Sequence, residues 1–127
     1  MSSKILQHFF YYQNIIKVFH WQTTSYAQHV ASDQLYTSLQ TLVDQWVEVY
    51  QGKYQTLTFD DDKVNVPLRN VDLDDFKLHL TQFKTFLMRD IPKFLGDDKE
   101  MKHTDLYNIR DEMLAITNKT LYLLKLQ

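Results

Sequence analysis

Apolar residues recur every three or four positions along the first half of the chain, which is the period of an amphipathic helix. Residues 3–21 predict one helix, with Ser2 or Ser3 as its cap, and residues 25–51 predict a second that stops at Gly52. The two are separated only by the tripeptide QTT, so we expect an antiparallel hairpin. The two apolar stripes comprise Ile5, Phe9, Tyr12, Ile16 and Phe19, then Leu35, Leu39, Leu42, Trp46 and Tyr50.

The second half of the chain predicts two more helices. One begins at about Asp72 and is expected to kink or end at Pro92, and the other begins at Thr104, a candidate N-cap. Between the two pairs of helices lies a long solvated connection with Pro67 and an acidic run at 60–62. Four amphipathic helices with one long crossover between helices two and three predict an all-α, ferritin-like four-helix bundle. Residues 1–127 are expected to form this single domain.

Composition narrows the classes of function. The chain has no cysteine, which excludes a disulfide framework, a thiolate zinc site and a cysteine nucleophile. Its start does not read as a signal peptide, and no apolar run approaches the roughly 20 residues of a membrane span. We therefore expect a cytoplasmic protein. The net charge of -2 gives no electrostatic reason for nucleic-acid binding as the primary role.

Five residues with metal-ligand chemistry cluster around the second helix. With His29 as the zero direction, Asp33 lies at about 40°, Asp44 at about 60° and Glu48 at about 100° around the helix. They are expected to form a seam along the edge of the buried face, and His20, at the end of the first helix, can face the start of that seam. Imidazole and carboxylate together are the ligand set of non-haem iron, manganese or zinc.

The spacing along the second helix argues against a site within one chain. His29 and Asp33 are one turn apart, whereas Asp44 lies about 16 Å beyond Asp33 along the axis. One copy of the helix cannot close both ends on a single metal. Two copies packed antiparallel across a two-fold axis could do so, which predicts either a dimer-interface site or two separate half-sites.

A structural interpretation of the same residues stays open. Each seam residue taken singly is a common solvated or hydrogen-bonded side chain, and this is the expectation for His8, His79 and His103. Trp21 and Trp46 are of the residue type that usually packs in a core. The alternative function is accordingly a non-catalytic structural or interaction bundle that has lost the metal site.

The pattern resembles the signature of the Dps family, the ferritin-like mini-cages of bacteria. The resemblance is carried by HW followed by SYAQHVASDQLYTSLQTLVDQWVE, and by the closing segment NKTLYLLKLQ. Asp33, Asp44 and Glu48 follow His29 at the intervals that the family uses. The turn after His20 is shorter than the family's, and the lysine-rich tail that many members use to hold DNA is absent. The chain looks closer to short Dps-like proteins of phages and large DNA viruses than to the bacterial cages.

The resemblance implies an iron-oxidising protein that protects against oxidative damage. In the family, ligands from one subunit meet ligands from its two-fold mate, bind Fe(II) and allow its oxidation by peroxide or oxygen. For this chain, other divalent metals such as Zn or Mn are the alternative to iron. A homo-oligomer is implied, either a dimer or a dodecameric cage, in the host cytoplasm or a virion, with no DNA-binding tail and no membrane partner. Trp21 would lie beside the site. The implied ligands, which are also the implied catalytic residues, are His20, His29 and Asp33 from one chain and Asp44 and Glu48 from the other.

The fourth helix offers a second candidate site. Asp105, Asn108 and Glu112 are expected near one another at the edge of its apolar face. The chain lacks the Glu-x-x-His motifs of an internal di-iron centre, so an intact centre inside one bundle is not expected. Asp105, Asp111 and Glu112 are expected instead to cap the helix or to pair with Arg110 or Lys119. The alternative is that they supplement a one-chain site with His20.

Overall fold

The N-terminal helix buries the stripe predicted for it. A computed structural model describes residues 3–59, 66–96 and 98–126, and helix α1 spans Ser3–Gln22. Every residue of its predicted apolar stripe is at most 7% exposed. Of the two predicted caps, Ser2 lies outside the described residues and Ser3 is already helical.

Helix α2 spans Tyr26–Lys53 as one uninterrupted rod of 28 residues, about 42 Å long at 1.5 Å per residue. Ser25 is its N-cap, and the Ser25 hydroxyl accepts a hydrogen bond from a backbone N–H three residues on. The predicted stop at Gly52 is wrong, because Gly52 is helical and Tyr54 is the C-cap. The Tyr54 hydroxyl is hydrogen-bonded to His103, and this tertiary contact holds the last turn of the helix.

The third helical segment does not end at Pro92 but continues for one turn beyond it. Helix α3 spans Leu73–Thr85, continues as a π turn over Phe86–Asp90 and finishes as helix α4 over Ile91–Leu95. The amide of the residue before Pro92 donates to the carbonyl five residues back, which is the π pattern. Pro92 falls in the first turn of α4, where its missing N–H costs least. The wider π turn accommodates Pro92 within the helical segment, which ends before Gly96.

The connection from α2 to α3 is non-helical wherever the structure describes it, as predicted. The predicted acidic run at 60–62 lies outside the described residues. Gln22 ties the far end of the connection to α1: its Oε1 accepts from the Val71 amide at 2.8 Å, and its Nε2 donates to Asn70 Oδ1 at 2.9 Å. Asp72 then starts α3 through a capping box.

Helix α5 spans Thr104–Leu123. The predicted N-cap role of Thr104 is wrong, because His103 occupies the capping position and Thr104 is the first helical residue. The Thr104 hydroxyl donates backwards to the Met101 carbonyl at 3.1 Å and therefore makes no cap for the helix amides.

The helices surround one aromatic-rich core. Helix α2 packs against α1 and α5, and α3 packs against the same two helices. Phe9 meets Trp46 and Phe86 edge to face at 5.5 and 5.4 Å, and Phe19 stacks on Phe76 at 4.0 Å. Within the described residues the protein is all-α, with four helical segments in a bundle-like arrangement and no strand. No helix among them is both long and apolar enough to cross a membrane.

Candidate metal centre

His20 and His29 face each other across the turn between α1 and α2. Their rings stack with centroids 3.8 Å apart and planes 20° from parallel. His20 Nδ1 lies 2.9 Å from the carbonyl oxygen of His29, and His29 Nδ1 lies 2.9 Å from the carbonyl oxygen of His20. A carbonyl oxygen can only accept, so both Nδ1 atoms carry a proton and donate it. The short turn thus creates a reciprocal pair of hydrogen bonds.

The reciprocal pair leaves one free lone pair on each neutral ring. When Nδ1 is protonated, Nε2 of a neutral imidazole carries the lone pair that binds a metal or accepts a hydrogen bond. Metal-binding histidines commonly donate their other ring N–H to a backbone carbonyl, which fixes the tautomer in this way. His20 is 8% exposed, whereas His29 is exposed. His29 is therefore the ring that an ion from solvent reaches first.

Ser32 supports the histidine pair and was not predicted from the sequence. It is fully buried, and its hydroxyl lies 2.8 Å from the Gln28 carbonyl and 3.0 Å from the His29 carbonyl. The same oxygen lies 3.3 Å from His20 Nδ1. Ser32 can therefore donate to a helix carbonyl and accept from His20. Its position three residues after His29 is the only signal in the sequence, and that spacing is common in helices.

The predicted carboxylates Asp33, Asp44 and Glu48 are all exposed on α2. Asp44 and Glu48 are one turn apart; a hydrogen bond between their side chains, followed by the negative charge of Asp44, raises the pKa of Glu48. Because α2 is unbroken, Asp33 and Asp44 are separated by about 16 Å along the axis. Asp44 lies on the wall of a cavity lined by α1 and α2, together with the buried Val43.

The histidine pair and the acidic pair, the two candidate half-sites, lie apart within one chain. No group of three or more metal-ligating side chains comes together within the described residues. Among the residues that the structure describes, neither Asp44 nor Glu48 forms an ion pair with a lysine or arginine. The acidic pair is thus negative and available to a cation.

Two large aromatic side chains beside the histidine pair point into solvent. Trp21 is 69% exposed and Tyr26 is 81% exposed. The expectation of a packed tryptophan is confirmed for Trp46, which is fully buried, and is wrong for Trp21. Trp21 lies about 200° around α1 from the buried Phe19, so its side chain must point outward.

The second candidate site, on α5, resolves into helix-end contacts and ion pairs. Lys53 lies 3.2 Å from Asp105. Partial burial alone would raise the pKa of Asp105, but the Leu106 amide and Lys53 bind the carboxylate and lower it. Asp111 accepts from Arg110 Nε at 2.8 Å, as predicted for this pair. Asn108 and Glu112, also proposed for this site, are both exposed.

Of the other histidines, His79 and His103 are hydrogen-bonded, as expected, and His8 is in ring contact. His79 is buried between the Tyr11 hydroxyl, at 3.0 Å from Nε2, and the Asp75 carbonyl, at 2.7 Å from Nδ1. His8 stacks on Phe86 at 4.7 Å. His103 is buried and hydrogen-bonded to Tyr54, the C-cap of α2.

Comparison with known proteins places the chain in a family. The sequence profile of DUF5856, a family of unknown function, matches residues 20–124. The chain belongs to DUF5856. The match begins at His20 and includes all five candidate ligands. No curated protein and no solved structure matches the chain.

In this DUF5856 chain an apolar cavity opens beside the acidic pair. Its volume is about 680 Å³, and it lies between α1, α2 and the start of the connection. Asp44 stands on its wall together with Gln13 and the exposed rings of Phe10 and Phe59. Gln13 is 9% exposed, and its Nε2 has no partner among the described residues. An apolar surface with one free donor and one carboxylate therefore adjoins the acidic half-site.

Proposed function

We propose that this chain is a ferritin-like, Dps-like protein that binds and oxidises Fe(II) where two copies meet. In this proposal His20, His29 and Asp33 of one copy face Asp44 and Glu48 of the other, and peroxide or oxygen is the oxidant. The protein would assemble as a homo-oligomer and protect against oxidative damage. The single observation that carries the proposal is the reciprocal histidine pair, because it holds both rings with Nε2 available.

The donor set fits iron in a hard or borderline environment. Imidazole nitrogen and carboxylate oxygen suit non-haem iron, and also zinc or manganese, whereas no thiolate is present to select a soft metal. The two half-sites of one chain lie too far apart for a common ion. An antiparallel second copy brings the His29 end of one α2 to the Asp44 end of the other.

The stacked rings set a condition on how the histidines bind. Lone pairs on imidazole lie in the ring plane, so two nearly parallel rings do not aim at one ion. His29, which is exposed, offers its Nε2 without rearrangement. His20 either turns its ring on binding or stays in place and orients His29 through the Nδ1 hydrogen bonds. The relative loss of affinity in His20→Ala and His29→Ala measures which of these roles His20 has.

The acidic pair gives the proposed site its charge and its pH dependence. A carboxylate must be ionised to bind Fe(II). The hydrogen bond to Asp44 raises the pKa of Glu48, so Glu48 holds its proton to a higher pH than an ordinary glutamate. Iron affinity should therefore fall as the pH is lowered through this raised pKa. Each Fe(II) gives one electron to the oxidant, and the protein supplies position and charge.

An anaerobic Fe(II) titration followed by peroxide tests the proposal. Saturable binding and rapid formation of ferric absorbance are expected in the wild type, and both should be lost in His29→Ala and Asp44→Asn. Asp74→Asn is the matched control, since Asp74 is an exposed aspartate in the first turn of α3. Oxidation no faster than in buffer would refute the ferroxidase function.

Mixing two inactive variants tests the two-chain geometry. His29→Ala keeps the acidic half-site, and Asp44→Asn keeps the histidine half-site. In a mixed dimer one site regains all its ligands, so random exchange should restore about one site in four. A site within one chain predicts no recovery. Light scattering during the same experiment reports whether the oligomer persists.

A second candidate function is a non-catalytic interaction bundle. The observation that favours it is the exposure of Trp21 and Tyr26, because such aromatics anchor protein interfaces. Under this alternative the chain assembles but does not bind iron, and Trp21→Ala weakens assembly while His29→Ala does not. The iron titration separates the two functions.

A further inference from the structure

A row of aromatic rings runs along α2 from the core to the surface. Trp46, Tyr50 and Tyr54 are four residues apart, a spacing that places side chains above one another on a helix. The ring centroids of Trp46 and Tyr50 are 5.8 Å apart, and those of Tyr50 and Tyr54 are 4.8 Å apart. Trp46 is fully buried, Tyr50 is half-buried and Tyr54 is 51% exposed. The row therefore connects the interior of the bundle with solvent.

The exposed end of the row carries a base. The Tyr54 hydroxyl is hydrogen-bonded to Nε2 of His103, a residue 49 positions away that is 7% exposed. Asp98 Oδ1 accepts from the His103 backbone amide at 2.8 Å and lies 3.8 Å from His103 Nδ1. The 3.8 Å separation is too long for a hydrogen bond, and Nδ1 has no hydrogen-bond partner among the described residues. The negative charge of Asp98 on that side favours the proton on Nδ1, which leaves Nε2 to accept from the tyrosine. Tyr54 and His103 therefore form a phenol and its base, with the Asp98 carboxylate nearby.

The buried end of the row has no such base. Trp46 Nε1 has no hydrogen-bond partner in the described part of the chain. A phenol is oxidised by one electron far more readily when its proton can leave at the same time, because the phenol radical cation is a strong acid, whereas the indole radical cation is a weak acid. An oxidising equivalent on Trp46 therefore keeps its proton and can be passed on, whereas one on Tyr54 is held as a neutral radical once the proton moves to His103.

We propose that Trp46, Tyr50 and Tyr54 carry an oxidising equivalent from the core to the surface, with Tyr54 as its proton-coupled end. The oxidant is a one-electron oxidant of the radical class formed from peroxide, and it gains one electron from the row. The Tyr54 O–H bond breaks, its proton moves to His103 Nε2, and a neutral tyrosyl radical remains. A thiol or an enediol reductant in solution then returns the electron, and His103 returns the proton.

This activity does not depend on the proposed iron site. It places damage at a position where a small reductant can repair it and away from the buried rings of the core. A purely structural role for the Tyr54–His103 contact, which joins the end of α2 to the start of α5, makes a different prediction. Radicals would then form on tyrosines according to exposure, with Tyr26 and Tyr122, at 81% and 58%, ahead of Tyr54.

The test is metal-free photo-oxidation of the full chain with a ruthenium complex, followed by electron paramagnetic resonance. One dominant tyrosyl radical is expected, lost in Tyr54→Phe and unchanged in the control Tyr122→Phe. Trp46→Phe should slow its formation. His103→Gln should slow it by about a hundredfold, the scale of a general base, and should remove the solvent isotope effect.

Two results would overturn the proposal. One is a wild-type radical spread over the exposed tyrosines, with no preference for Tyr54. The other is a formation rate that is the same in H2O and D2O, a measurement on the wild-type chain that stands even if His103→Gln does not fold. Because no iron is present, neither result bears on the ferroxidase proposal, and loss of iron oxidation leaves this test intact.

Discussion

Replacing Arg110 with methionine should destabilise the bundle through one carbonyl group of the π turn. Arg110 reaches from α5 and donates from Nη1 to the Leu87 carbonyl at 3.1 Å, with its side chain only 17% exposed. That carbonyl has no partner within its own helix. The amide four residues on donates to Phe86 instead, and the residue five positions on is Pro92, which has no N–H.

The magnitude follows from the contacts that are lost. A hydrogen bond from a charged donor is worth about 1.5–3 kcal/mol. The guanidinium also lies 4.8 Å from the Tyr107 ring centroid, which adds about 0.5–1 kcal/mol. The ion pair with Asp111 adds little, since the Asp111 side chain is 60% exposed. Methionine retains the apolar stem. The free energy of unfolding should fall by about 2–4 kcal/mol.

A double-mutant cycle of Arg110→Met and Pro92→Ala, measured by urea unfolding, isolates the cost of leaving the Leu87 carbonyl without a hydrogen bond. Alanine restores an amide, so Leu87 regains a helical partner whether the turn stays π or tightens to α. Arg110→Met should then cost about 1 kcal/mol less than in the wild type. The control Arg89→Met, at an exposed position of the π turn, should change stability by less than about 0.5 kcal/mol. An equal cost of Arg110→Met in both backgrounds would refute the reasoning.

Three further predictions concern the core and the candidate site. Burial, with smaller effects of two neighbouring acidic groups, raises the pKa of Tyr12 to about 12 from an ordinary 10.0. The contribution of protonated Tyr12 to the free energy of unfolding is therefore complete below pH 10 and is lost as the pH rises towards 12, on the order of 2–3 kcal/mol. Tyr12→Phe should abolish this alkaline loss of stability in urea titrations, and an unchanged pH profile would contradict the prediction. His20→Ala and His29→Ala should be coupled by about 1–3 kcal/mol from two hydrogen bonds and one stack; additive costs would argue against the reciprocal pair. Asp44→Asn should lower the pKa of Glu48 in an NMR titration, and no change would exclude the side-chain contact.

The helices were largely predictable because their signals are local. Periodicity and caps act over three to four residues, so the stripes of α1 and α2 and the capped starts at Ser25 and Asp72 could be identified from the sequence. Three element ends were not predictable. Gly52, Pro92 and Thr104 each resemble a standard boundary signal, and each is overruled by a contact with another part of the chain or a competing local hydrogen bond.

The candidate site likewise has features that the sequence predicts and features that only the tertiary structure reveals. The sequence by itself determined which ligand types α2 carries and how far apart they lie, because an unbroken helix converts spacing directly into distance and angle. Only the tertiary structure decided that His20 and His29 donate to each other's carbonyls and that Ser32 supports them. It also decided that Tyr54 meets a base 49 residues away. Side-chain pairing across two helices depends on how their faces pack, and no local pattern in either helix encodes that arrangement.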